Sequence, residues 1–279
     1  MITDPAQQAQ QVRKRDMTFA GRTRTEIWQE IPSEENPYLA GQCRCHGYDI
    51  LALAGKRSFA EVLFLLFQGE LPTPEQARML EFLLIAMINP GPRHPATRAA
   101  MNAAVSKTHT QHLLPIGLSV LGGAHLGGAE VLASMRFLGT NLGRLPAEVA
   151  RECLAAPRPD DGGDFHPAPG FGSRFGGIDP MPRQMGDLLA TLPGSGDAVA
   201  WGTAFVEALA PHGLGWLGPG IAAACLRDLG FSPWAGAGLF QLICAPGILA
   251  HGLELAGKPI TAMPFLDEEH YVIAAEARK

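Results

Sequence analysis

Helix start and stop signals recur along this chain so regularly that a mainly helical fold is the only economical reading. Ser58, with Glu61 three residues on, makes a capping-box pattern. The hydroxyl takes the backbone N–H of residue 61 and the glutamate reaches back to that of residue 58. The apolar run Val62, Leu63, Leu65, Leu66 and Phe67 follows, and Gly69 stands where a helix-ending glycine belongs. Thr73 and Pro74 open the next helix, and Leu80, Leu83, Leu84 and Met87 form its apolar stripe. Asn89-Pro90-Gly91-Pro92 ends it. Further helices are expected over about 95–105, from 115 or 116 through 135, over 182–192, over 198–209 behind an Asp197 cap, over 221–229 stopped by Gly230, and over 233–255 behind Ser232. Only Thr25 to Ile31 alternates with period two. The expectation is therefore a mainly α chain with at most one short N-terminal strand or hairpin.

Length and composition narrow the function. The 279 residues suit one large helical body carrying a smaller lobe. A net charge of −5 and a pI near 6.0 provide no basic field for phosphates, so nucleic acid is not an expected partner. The most apolar stretch, Gly236 to Leu253, is interrupted by Gln241, Pro246 and His251, and the N-terminus opens on Asp4 and glutamines. Neither a membrane span nor a signal segment is expected, which points to the cytoplasm. Cys43, Cys45, Cys153, Cys225 and Cys244 are odd in number and scattered, as reduced thiols are. Cys43-Arg44-Cys45 lacks a second pair, and His109 with His112 lacks a third ligand, so no metal site is expected.

Several strings, in order and spacing, resemble the citrate synthase superfamily, most of all its citryl-CoA lyase branch. They are His46-Gly47-Tyr48-Asp49-Ile50, Ser58 to Val62, Gln68-Gly69-Glu70-Leu71-Pro72-Thr73, Asn89 to Pro92, Gly127-Gly128-Ala129, Pro169 to Arg174, and Phe265 to Val272. The resemblance implies a two-lobe helical homodimer. Residues 1–40 would be an N-terminal arm, 41–178 with 235–279 the large domain, and 179–234 the small one. It also implies an interdomain cleft for a CoA thioester and a di- or tricarboxylate, with no bound cofactor. The family chemistry makes or breaks a carbon–carbon bond beside the thioester carbonyl, using a carboxylate base and polarising histidines.

Laid on this sequence, those roles fall on unfamiliar residues. The synthase thioester histidine falls on Leu126, with His125 turned about 100° away in a helix. The lyase histidine falls on Pro90, the loop histidine on Ser173, the basic aspartate near Gly218 or Pro219, and the carboxylate-binding arginine on Cys244. Ser173 and Arg174 are the leading site candidates, a hydroxyl donor beside a cation suited to carboxylate, flanked by Gly172. His94 or His125 would supply proton transfer, although His125 also reads as a hydrogen-bonded core residue. Gly127 and Gly128 admit either a substrate or a closely packed helix, and His251 either faces ligand or packs. An active protein would be a lyase or acyltransferase of this type. A catalytically silent regulatory or assembly subunit is the alternative, and a hydrolase or acyltransferase using Cys244 as nucleophile ranks last.

Overall fold

The computed structural model describes residues 24–156, 164–264, 266–267, 269 and 271. The arm up to residue 23, the Asp160–Gly163 stretch and positions 265, 268, 270 and 272 of the tail lie outside the described residues. The chain divides into two compact units, one ending at Ile50 and one beginning at Leu51.

In the first unit, β1 (Trp28–Pro32), β2 (Ala40–Cys45) and β3 (Tyr48–Asp49) form an antiparallel sheet in that order. The period-two segment supplies β1. Its partner β2, Ala-Gly-Gln-Cys-Arg-Cys, holds no large apolar side chain, so alternation could not reveal it. His46 and Gly47, both at positive φ (45° and 86°), make the tight turn into β3 that the twist of a two-residue hairpin favours.

The second unit is helical, as expected: among the described residues α1 (Ile50–Lys56), α2 (Phe59–Gln68), α3 (Pro74–Ala86), α4 (Pro95–Val105), α5 (Leu113–Leu121), α6 (Gly128–Asn141), α7 (Pro146–Ala155), α8 (Pro180–Ala190), α9 (Asp197–Leu209), α10 (Gly218–Asp228) and α11 (Pro233–Ala256). Both capping boxes form, and Gly69 closes α2 in the left-handed conformation. The long apolar α11 packs against α4, α5, α6 and α10. By length and composition alone it is the one described helix able to cross a membrane.

Three features depart from the sequence reading. The helix expected from 115 to 135 breaks between α5 and α6. A Cβ at Gly127 would stand 2.3 Å from the Leu121 carbonyl oxygen, and Leu126 adopts φ 58°, so the glycine-rich middle is a turn and not a softened helix. α7, opened by Pro146, was not anticipated. A second antiparallel sheet, β4 (Phe165–Ala168), β5 (Phe171–Ser173) and β6 (Gly215–Trp216), occupies the long connection before α8 and the approach to α10. Phe171 and Trp216 of this sheet join Phe137, Trp201 and Phe205 in one aromatic cluster with ring centroids 4.8 to 6.1 Å apart.

The cap of α9 is also different. Asp197 lies inside the helix, and the carboxylate of Asp228, at the end of α10, accepts the N–H groups of Gly196 (2.9 Å), Ala198 (2.8 Å) and Val199 (3.0 Å). An anion at a helix N-terminus satisfies orphan donors and opposes the macrodipole. Asp228→Ala is expected to cost about 2 kcal/mol, seen as a lower urea midpoint with unchanged slope. Asp197→Ala, which leaves those three bonds in place, should cost less than about 1 kcal/mol. Equal losses would contradict this assignment.

Candidate functional site

The turn between α3 and α4 sets the first functional group. The Asn89 carboxamide oxygen accepts the Gly91 N–H (2.9 Å), Gly91 takes φ 86°, and His94 arrives as the N-cap of α4. Its Nδ1 accepts the Ala96 N–H at 3.1 Å, so the ring proton sits on Nε2 and is donated to the Leu126 carbonyl at 3.1 Å. A ring used in this way is neutral. Burial holds its pKa below the ordinary 6.5, the Leu126 carbonyl pulls the other way, and the Arg174 guanidinium adds to the lowering.

His94 lines a cavity of about 350 Å³. Arg174 enters from the loop after β5 and ion-pairs with Asp179, which also caps α8 by accepting the Met181 N–H at 3.2 Å. Among the residues lining this cavity, Asp179 is the one carboxylate. Leu126, Pro90, Gly218, Pro219 and Cys244 line it as well. These are positions to which the sequence resemblance assigns family roles. An adjoining groove of about 450 Å³ shares Pro90, His94, Leu126 and Arg174 and adds Arg93, Asp164 and Phe175. The Arg174 guanidinium carbon lies 5.6 Å from the Phe175 ring centroid, within cation–π range.

The other candidates lie elsewhere. Ser173 is 1% exposed, and its Oγ donates to the Gly177 carbonyl (2.9 Å) while accepting the Gly177 N–H (2.7 Å). Its hydroxyl closes a turn instead of facing the cavity. Gly172 sits in β5 against the Phe165 carbonyl, where a Cβ would approach to 2.2 Å, so it serves strand pairing. Gly128 packs against the Ala237 carbonyl of α11. His251, on α11, places Nε2 3.3 Å from the Asn89 amide nitrogen and so steadies the α3–α4 turn from behind. His125 is neither helical nor buried: it is exposed in the α5–α6 break and stacks on His166. Burial pushes the Cys244 thiol up to about 12, which leaves almost no thiolate for nucleophilic attack. Sequence reasoning missed Glu130, a buried carboxylate that looks from the sequence like an ordinary first-turn acid of α6.

A family model described as citrate synthase, C-terminal domain, matches residues 26–149. Citryl-CoA lyase from Hydrogenobacter thermophilus superposes with a TM-score of 0.74 at 25% identity, over 92% of this chain and 96% of that one. This chain has the citrate synthase-like fold. The fold extends to ATP citrate lyase from Methanothrix soehngenii (TM-score 0.67, 16% identity, 92% of this chain and 44% of that one). It extends also to citrate synthase from Thermoplasma acidophilum (0.59, 19%, 80% and 58%). The chain thus spans under half of that ATP citrate lyase chain. A comparison with curated proteins found no match.

Because the folded state disfavours charged His94, the unfolded chain binds more protons wherever pH lies between the lowered pKa and 6.5. The stability tied to His94 is full above 6.5 and is lost as pH falls through that window. His94→Asn keeps an N-cap acceptor without the titration. Wild type is expected to lose more stability than this variant between about pH 7 and about pH 5 in urea melts; parallel losses would refute the assignment.

Proposed function

We propose that this chain binds a coenzyme A thioester whose acyl part carries a carboxylate, in the cavity lined by His94 and Arg174, and that it makes or breaks a carbon–carbon bond beside the thioester carbonyl with altered machinery. The observation that carries the reading is the meeting of a neutral imidazole donor and an arginine in one cavity. A substrate carboxylate would compete with Asp179 for the Arg174 fork. The freed Asp179 carboxylate would then be the group able to move a proton, and the His94 Nε2–H would have to exchange the Leu126 carbonyl for a developing oxyanion to stabilise it. Ser173 has no part in this scheme. Ligands of the required kind occur in the solved relatives: citrate with coenzyme A in the ATP citrate lyase, and carboxymethyl coenzyme A with oxaloacetate in the synthase. The working unit we infer is a homodimer, supported by the exposed apolar side chains of Trp234, Leu242 and Leu253 along α11.

One observation favours a silent family member that keeps the scaffold as a regulatory or assembly subunit. Asp179 is already paired, and Leu126, Pro90, Gly218 and Pro219 offer no acid or base.

Incubation with citryl-CoA, with acetyl-CoA and oxaloacetate followed by mass spectrometry, separates the two. Release above a no-protein control is expected, and Arg174→Ala should lower kcat/KM about 10- to 100-fold, the equivalent of a charged hydrogen bond. Coenzyme A binding without release, weakened in Arg174→Ala, would establish the silent subunit. Neither release nor binding would overturn both readings.

A further inference from the structure

Beside the groove, three side chains with metal-binding atoms converge where the α5–α6 break meets β4. His166 Nε2 lies 3.0 Å from Asp164 Oδ1, and His125 Nδ1 lies 3.6 Å from Asp164 Oδ2. The two imidazole rings stack with centroids 4.8 Å apart at 26°, and one ligand atom from each of the three residues falls within 4.8 Å of the others. The opposite nitrogen of His166, Nδ1, is held at 2.8 Å by Glu130 Oε1. Glu130 is 3% exposed and is itself fixed by the Gly170 N–H (2.9 Å) and the Leu126 N–H (2.5 Å). A buried carboxylate on the far nitrogen is the device that fixes ring orientation and tautomer in metal-ligating histidines.

We propose that His125, Asp164 and His166 form a binding site for a divalent first-row transition metal of the zinc class, with two imidazoles and one carboxylate as ligands and solvent at the remaining positions. Two imidazole nitrogens with a single carboxylate suit such a metal and disfavour calcium or magnesium, which want mostly oxygen. Metal–nitrogen and metal–oxygen bonds of about 2.0–2.2 Å hold neighbouring ligand atoms about 3–3.5 Å apart, and the two oxygens of Asp164 each face one imidazole nitrogen near that range, Oδ1 at 3.0 Å from His166 and Oδ2 at 3.6 Å from His125. His125 has the adjustment to make, and with 66% of its side chain exposed it is free to turn. Both nitrogens of His166 face carboxylates, so a cation bound between Nε2 and Asp164 would take the place a proton can occupy there. Asp164 also lines the groove shared with His94 and Arg174, so a bound cation adds positive charge at its rim.

The test uses the full-length protein, stripped with a chelator and titrated with cobalt(II) as the spectroscopic probe, then competed with zinc. One cobalt per chain is expected, with weak d–d bands and no thiolate charge-transfer band. His125→Ala and Asp164→Asn, both at exposed or half-exposed side chains, should each weaken binding at least about tenfold with circular dichroism unchanged, while His109→Ala leaves it as in wild type. Zinc should raise the melting temperature of wild type and not of the two variants. Absence of saturable binding, a thiolate band, or equal affinity in His125→Ala and Asp164→Asn would overturn the proposal.

Discussion

The functional half of this structure hangs on the buried carboxylate of Glu130. It accepts from the backbone of Gly170 in the β4–β5 turn, from the backbone of Leu126 in the α5–α6 break, and from the His166 ring on β4. A carboxyl group this far from water is tolerable only when its acceptor capacity is filled, and three donors fill most of it. In return it fixes Leu126 at φ 58°, a conformation that costs a non-glycine residue about 1–3 kcal/mol. The Leu126 carbonyl, held in that orientation, receives His94. One carboxylate thus sets the back wall of the cavity, although Glu130 does not line it.

The cavity is built more from backbone and apolar atoms than from acids and bases. Gly218 and Pro219 come from the start of α10, Pro90 from a turn, and Leu126 and Cys244 present apolar or unreactive surface. What polarity remains is self-compensating. Arg174 disfavours a charge on His94, and Asp179 pairs with Arg174. Any anionic ligand must therefore compete with an internal carboxylate for the same guanidinium, so binding would trade one ion pair for another, and selectivity would rest on a second carboxylate-like group, on shape, or on contacts in the adjoining groove.

Local signals were legible in the sequence and distant ones were not. The Ser58 and Thr73 capping boxes form as read because all their atoms lie within four residues. The α9 cap escaped because its acceptor, Asp228, is about thirty residues from the N–H groups it satisfies. The glycines before α6 signalled close backbone approach, but whether they soften a helix or end one is decided by Glu130 and α11. At the site, Arg174 and His94, both singled out from the sequence, line one cavity. Ser173 went astray because a serine flanked by glycines looks equally suited to holding a ligand or closing a turn. His166 and Asp164 gave no sign, since an Asp-x-His triplet in a polar connection becomes a cluster only when β4 lies against the α5–α6 break.

That break also joins the two chemical centres. From His94 Nε2 the hydrogen bonds run by way of the backbone C=O and N–H of Leu126 to Glu130 and on to His166 Nδ1, at 3.1, 2.5 and 2.8 Å. Such a chain has little slack, because each member has one geometry that satisfies its neighbours and an unsatisfied member would be left polar and buried. Substitution of Glu130 would loosen the cavity wall and the histidine cluster together and so could not assign a role to either. His125 and Asp164 reach Glu130 only through His166, and Arg174 does not touch Glu130 at all. Changes at these outer residues are the ones that separate ligand binding in the cavity from cation binding beside it.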